Sequence, residues 1–379
     1  MSRKDYAIYA ITKHGLELGK RLCEALPSAD LYVSTKLMDR APDYARELGL
    51  PMGPTLSRTW KEYSCHVHVI SIGAVVRMIA PLLENKKVDP ALVCVDDAAR
   101  FSTCVLSGHV GRGNAFAQRI ADLLDAQAVI TTASDVRGTL TVDILGRDLG
   151  WVLDDPDRNV TSGCAAVVNE ERVLFVQETG EPNWWPEGKT LPPGVEYCTS
   201  LDAIEPGAYG MLLVVSDRSL GALGRGVVEH SVIYRPKSLV VGIGCDRGAS
   251  PAMIQRGIEK VLEDCQLSAA CIRNLATIDV KGDEEGLVEV ATEKGWELQL
   301  YPAGELDMVP GVQNPSEVVK KYVGTRSVGE AACLLSSGAE QLLVPKTKYS
   351  ESEGGLNMTV ALARIPFESR QNQLQESSV

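Results

Sequence analysis

Residues 66–97 read HVHVISIGAVVRMIAPLLENKKVDPALVCVDD. The run at 66–72 has strand length, Gly73 interrupts it, AVVRMIAPLLEN has helical apolar spacing, and ALVCVDD (91–97) is a second strand ending in acid. A strand, a helix and a strand in that order predict a parallel pair joined by a crossover, the unit of an α/β sheet covered on both faces.

The same alternation extends outward. YAIYAIT (6–12) is a strand pattern followed by the helical KHGLELGKRLCEAL, and DLYVS is another short strand. RFSTCVL leads into VLSGHVGRGNAFAQRIAD (105–122), a strand end, a glycine-bearing turn and a helix, and QAVITTASD (127–135) is a strand with a polar end. Near residue 150 the pattern becomes proline-rich, with strands in ERVLFVQETGEPNWWPEGKTLPPGVEY and GMLLVVSDR. YRPKS (234–238) reads as a linker, because proline and charge interrupt two strand patterns. A further α/β unit opens with SLVVGIGCDRGAS and closes with LVPKTK and MTVALAR.

The expected fold class is therefore multidomain α/β, with mostly parallel sheets, helices on both faces and a smaller strand-bearing middle domain. The expected divisions are 1–149, 150–236 and 237–367, with a polar tail at 368–379 expected to be disordered.

Composition narrows the function. A chain of 379 residues is long enough for two or three cores, and its net charge of −12 argues against nucleic acid as a partner. The apolar runs are strand-sized, short of the roughly 18 residues that span a bilayer, and the N-terminus has no cleavable apolar segment. The chain is read as cytoplasmic, with no membrane partner. Its ten cysteines, Cys23 to Cys333, form no CxxC pair and are read as reduced, mostly buried thiols.

Several stretches are candidate sites. In 107–114, Ser107, Gly108 and Gly111 permit a tight turn, and Asn114 sits in the first helical turn. Free amides there suit a carboxylate or phosphate, and His109 adds a group that exchanges a proton near neutral pH. An equally open reading is an ordinary strand-to-helix turn without ligand. Thr131, Thr132, Ser134 and Asp135 fall beside that turn if the two strands are neighbours, either orienting a ligand or capping a helix.

His66 and His68 share a strand face as a metal pair might, but no third ligand is near, so no metal site is assigned. GIGCDRG (242–248) is one residue too long for a dinucleotide fingerprint, and NAD is rejected. Lys281 beside Glu284 is either an acid–base pair or a helix-start cap with a solvated lysine.

Taken together, SIGAVVRMIAPLLENKKVDPALVCVDD, SGHVGRGN and AVITTASD closely resemble the N-terminal domain of the cobalt-precorrin-5A hydrolase family of anaerobic cobalamin biosynthesis. VVGIGCDRG, LATIDVKGDEEGL, VGTRSVGEAACLL, LVPKTK and MTVALAR resemble that family's C-terminal domain. The resemblance covers about residues 6–146 and 238–366, and the middle segment matches by position only.

It implies hydrolysis of a δ-lactone on a cobalt-bearing, carboxylated tetrapyrrole, with release of a two-carbon fragment as acetaldehyde. The cobalt belongs to the substrate, so no cofactor is implied. Partners implied are that tetrapyrrole and neighbouring enzymes of the pathway; the oligomeric state is left open.

Under this chemistry His109 is the first choice for general acid/base and Asp135 the second, with Lys281 and Glu284 as a further catalytic pair. Amides around Gly111 to Asn114 are expected to hold the oxyanion or a peripheral carboxylate. Gly244 lies in the C-terminal glycine turn taken to contact substrate. Arg77, Arg112, Arg119, Arg247 and Lys346 are the expected partners of the substrate's carboxylates. Two departures stand out: the family's usual Gly-Gly-Ala-Asn is here Gly111-Arg112-Gly113-Asn114, and its usual two basic residues after the C-terminal cysteine are Asp246-Arg247. A non-catalytic tetrapyrrole-binding protein and a nucleotide-dependent enzyme are the competing readings.

Overall fold

In a computed structural model, residues 3–367 are described except 203 and 352–354. The tail at 368–379 lies outside the described residues. The chain forms two compact units, residues 1–144 and 145–379.

The first unit is built on β1 (Lys4–Ala10), β2 (Ala29–Ser34), β3 (Arg46–Leu48), β4 (Tyr63–Val69), β5 (Ala91–Val95), β6 (Phe101–Leu106) and β7 (Gln127–Val129), in the order β3-β2-β1-β4-β5-β6-β7. All pairs are parallel except β5 with β6. Strand β1 shows why both faces are covered. Tyr6, Ile8 and Ala10 enter a core with Leu16 and Leu22 of the helix Lys13–Ala25 and Ile120 of the helix Gly113–Leu124. Ala7 and Tyr9 enter the opposite core, with Leu56, Trp60, Val75 and Ile79. Each large apolar side chain buried this way contributes about 1.5–3 kcal/mol.

Thr12 starts the first helix by accepting the Gly15 amide at 2.9 Å. The helix Ile72–Ile79 is shorter than its apolar spacing predicts, giving way to a 3-10 turn that contains Pro81. His66 and His68 are fully buried beside Tyr9, whose ring lies parallel to both imidazoles. Burial pushes their pKa values down to about 4 and about 3, so they pack as neutral rings.

The second unit holds two sheets. The first contains β8 (Val152–Leu153), β9 (Val173–Gln177), β10 (Val195–Cys198), β11 (Met211–Val215) and β12 (Ser231–Arg235), ordered β10-β9-β11-β12-β8. The other contains β13 (Leu239–Cys245), β14 (Ile272–Ile278), β15 (Glu297–Tyr301), β16 (Val344–Ser350) and β17 (Asn357–Arg364), ordered β15-β14-β13-β17-β16. In this sheet β17 runs antiparallel to both neighbours.

The YRPKS stretch differs from its reading as a linker. Tyr234 and Arg235 end β12 fully buried, and the Arg235 charge is met by Asp154 at 2.7 Å. A buried ion pair, not solvent, holds this junction. No disulfide joins any of the ten cysteines, but only Cys65, Cys94, Cys271 and Cys333 are buried and Cys265 is exposed, so fewer are core thiols than expected. No helix among the described residues is long and apolar enough to cross a membrane.

Candidate active site

Strands β6 and β7 are parallel neighbours, so the turns that follow them meet. Because β6 runs against β5, this meeting point lies where β1, β4 and β5 begin, with Ser107 Oγ donating to the Asp89 carbonyl just before β5 at 3.0 Å. The opposite edge, outside the carboxyl ends of β4 and β5, carries a cavity of about 890 Å³. It is lined by apolar side chains with Thr12, Ser71, Asp96 and Asp97, and offers no basic group to a polyanion.

The 107–114 turn is held by its own backbone. The amides of Arg112, Gly113 and Asn114 donate to the carbonyls of His109, Ser107 and Gly108 at 2.9, 2.9 and 3.0 Å. Three of the four amides from Gly111 to Asn114 are therefore consumed, which narrows the expectation that they receive the oxyanion or a carboxylate to the Gly111 amide. Arg112 sits in the left-handed region at φ 62°. A Cβ on Gly111 would fall 2.5 Å from Cβ of Ser107, so that position needs its glycine.

What the turn presents instead is a side-chain cluster. His109 Nε2 lies 2.7 Å from Oδ2 of Asp135 and 3.1 Å from Ser134 Oγ, and its Nδ1 faces Oδ1 of Asp143 at 3.4 Å. The same Asp135 oxygen accepts Thr132 Oγ1–H at 2.6 Å and Asn114 Nδ2–H at 2.9 Å, while Asn114 also donates to Thr132 at 2.8 Å. No described residue donates to Asp135 Oδ1.

The cluster sets its own protonation. The Asp143 carboxylate raises the His109 pKa, partial burial opposes, and Asp135 adds to the rise. At Asp135 burial pushes upward, but Thr132, His109 and Asn114 outweigh it and hold the carboxyl below its ordinary value. Both shifts favour the charged pair, His109 as imidazolium and Asp135 as carboxylate, and leave one Asp135 oxygen without a donor among the described residues. Asp143 belongs to no recognisable motif, and nothing in the sequence around it marks it as a site residue.

Asp135 and Ser134 lie in the short helix Ala133–Arg137, not at the end of β7. Thr131 is exposed. Arg77 is exposed, with Nη1 on the Gly73 carbonyl at 2.7 Å, and Arg112 and Arg119 are also exposed.

In the second unit, Lys281 and Glu284 bind each other at 2.9 Å. Glu284 also accepts the Gly248 amide at 2.7 Å, so both its oxygens brace the turn. Hydrogen bonding to both oxygens suits a brace better than a proton acceptor. Arg247 is tied to Asp283 at 2.8 Å and to the Val280 carbonyl at 3.0 Å. Gly244, Lys281 and Lys346 share one cavity, whereas Arg247 does not line it. Among the described residues no group of three or more His, Cys, Asp or Glu could hold a metal ion.

Three family models match successive segments of the chain. Residues 54–135 match the family model for the cobalamin synthesis G N-terminal region, 140–236 the cobalamin biosynthesis central region, and 239–363 the cobalamin synthesis G C-terminus. A cobalt-precorrin-5A hydrolase from Priestia megaterium is 40% identical over 97% of this chain and 96% of its own. The chain belongs to the cobalt-precorrin-5A hydrolase family. A second member of this name, from Salmonella typhimurium, is 28% identical over 95% of this chain and 98% of its own. The solved structure of a cobalamin biosynthesis protein G homolog from Sulfolobus solfataricus is 21% identical, covers 96% of this chain and 98% of its own, and has a TM-score of 0.37.

Proposed function

We infer that the chain hydrolyses the δ-lactone of cobalt-precorrin-5A and releases acetaldehyde, giving cobalt-precorrin-5B. The near-full-length likeness to a relative of that name supports the substrate. The observation that carries the chemistry is the 2.7 Å contact between His109 and Asp135, an acid and a base in reach of one another.

In the first step Asp135 Oδ1 takes a proton from water, and the hydroxide adds to the lactone carbonyl. Ser134 Oγ–H, Thr131 Oγ–H and the Gly111 amide are the donors left for the carbonyl oxygen once the amides of Arg112, Gly113 and Asn114 are spent. The ester C–O bond breaks, and His109 gives its Nε2 proton to the departing alkoxide. Protonation of Asp135 weakens its hold on that N–H at the moment the proton is needed. In the second step the new hydroxyl loses its proton, the carbon–carbon bond to the macrocycle breaks, and acetaldehyde leaves. The electron pair stays on the macrocycle carbon that held the two-carbon fragment, and that carbon takes up a proton. Cobalt travels with the substrate, and the protein supplies proton transfer and orientation.

Anaerobic incubation of the purified chain with cobalt-precorrin-5A, trapping acetaldehyde and following pigment mass, tests the reading. Acetaldehyde formed only with protein supports it. Tight pigment binding without acetaldehyde overturns it in favour of a binding protein.

A further inference from the structure

The C-terminal sheet carries a cavity of about 440 Å³ in which two kinds of surface meet. That volume falls within the roughly 300–1,000 Å³ of small-molecule sites. Its floor includes Gly244 and Thr359, which stand in register with Lys348 across β13, β17 and β16. A Cβ on Gly244 would meet Thr359 Oγ1 at 2.8 Å, so the floor at this point depends on glycine.

The first surface is cationic. Lys281, Arg326, Lys346 and Lys348 all line the cavity. Lys281 is neutralised by Glu284 and Arg326 by Asp307, but the other two have no carboxylate partner among the described residues. Lys346 Nζ donates only to the Asn314 carbonyl, at 2.8 Å, and Lys348 makes no ion pair with any described residue. Among the described residues the one lining carboxylate, Asp246, is engaged by the Asn357 amide at 2.8 Å. In a chain of net charge −12, two such lysines beside one cavity leave a local positive field.

The second surface is apolar and unpartnered. The helix Glu317–Val323 buries none of its residues, and it leaves Val318 66% and Tyr322 80% exposed, one turn apart on the same face. Val280, 53% exposed, lines the same cavity. Apolar side chains beside fixed cations complement a ligand with a broad hydrophobic face and anionic edges.

We propose that this cavity binds an acidic tetrapyrrole by its edge, with Val318, Tyr322 and Val280 against the macrocycle and Lys346 and Lys348 on its peripheral carboxylates. The choice of tetrapyrrole among polyanions rests on the hydrolase reading above; the cations and the apolar face do not. The site is one of binding, and none of its residues exchanges a proton with the lactone.

The full-length chain is titrated with uroporphyrin, a stable, metal-free polycarboxylate tetrapyrrole, following porphyrin fluorescence. Acetaldehyde release from cobalt-precorrin-5A is measured in parallel. The charge-reversed Lys346→Glu/Lys348→Glu variant should bind porphyrin roughly tenfold more weakly, and Tyr322→Ser several-fold more weakly. Lys348→Arg should keep its affinity, and His109→Ala should bind as the parent does. A melting temperature equal to the parent's excludes misfolding as the cause.

No porphyrin binding by the parent, unchanged binding by the double variant, or displacement by citrate as effective as by a second porphyrin would each overturn the site. Lysine-dependent binding without any acetaldehyde release would overturn the hydrolase reading and leave the site standing.

Discussion

Nδ1 of His109 faces Oδ1 of Asp143 at 3.4 Å, on the side of the ring away from Asp135. This second carboxylate is the largest influence raising the imidazole pKa, and it fixes which proton-transfer role the ring can take. A raised pKa favours the protonated ring, and so the donor role over collecting a proton from water. The base must then be sought elsewhere, and Asp135, with one oxygen open, is the group in reach.

Asp143→Asn should lower the His109 pKa toward its ordinary value of about 6.5, shifting the alkaline limb of turnover to lower pH. Because the folded pKa is raised, His109 contributes stability below its unfolded pKa and loses it as pH rises through the folded one. The deficit of the variant should therefore be larger at mildly acid pH than at alkaline pH. An imidazole NMR titration compared with the pH–rate profile checks this; an unmoved His109 pKa would remove Asp143 from the account.

His109→Ala should cut acetaldehyde release by about 10²–10⁴-fold while leaving pigment affinity largely intact. Turnover equal to the parent's would exclude His109 from proton transfer. Asp135→Asn should cost a comparable factor, because it removes the open oxygen and the partner of Nε2 together.

Much of this cluster is legible in the sequence. The strand–helix alternation places β6 and β7 in one sheet, and their pairing brings His109 to Asp135. The direction of β6 is harder to see, although residues 96–100 are too few for a crossover and so force a hairpin. Asp96 closes that hairpin by accepting the Phe101 amide at 2.6 Å. Asp143 is not legible, since it reaches the ring from an irregular segment with no spacing rule. The fate of the turn amides is hidden for a related reason, because hydrogen bonds inside a loop depend on dihedrals that residue type only biases. Lys348 joins Gly244 only through strand register, which links residues 104 positions apart.

Glu330 is fully buried, and its carboxylate accepts the amides of Gln313, Asn314 and Lys346 at 2.8–2.9 Å together with Asn314 Nδ2–H at 2.8 Å. Burial pushes its pKa up, but these bonds outweigh that and hold it below the ordinary range. Glu330→Ala, which strands several buried donors, should destabilise the chain by about 2–4 kcal/mol in urea unfolding. The depressed pKa means that Glu330 contributes stability above its unfolded value of about 4.3, and that this is lost as pH falls through the folded value. Glu330→Gln should flatten that part of the acid dependence; an unchanged acid profile would count against the assignment.

At positions 112 and 113 the turn departs from the Gly-Ala that the family resemblance leads one to expect. Arg112 holds φ 62°, a conformation that is strained by about 1 kcal/mol for a residue with a Cβ and free for glycine. Arg112→Gly should therefore raise the melting temperature slightly. Gly113 is the converse case: an added Cβ would lie 2.6 Å from the Leu106 carbonyl oxygen and 2.8 Å from Cys104 Sγ. Neither neighbour is the free end of a flexible side chain, so the turn itself must shift, and Gly113→Ala alone should destabilise by about 1–3 kcal/mol. It should also lower turnover by displacing Asn114, which holds Asp135 at 2.9 Å. With glycine at 112 the backbone has a wider range in which to make that shift, so the double variant, which restores the family pattern, should lose less than the two single effects sum to. A double-mutant cycle in thermal unfolding measures the coupling. A neutral Gly113→Ala would show that the close approach is not what keeps glycine there, and strict additivity would show that the two departures are independent.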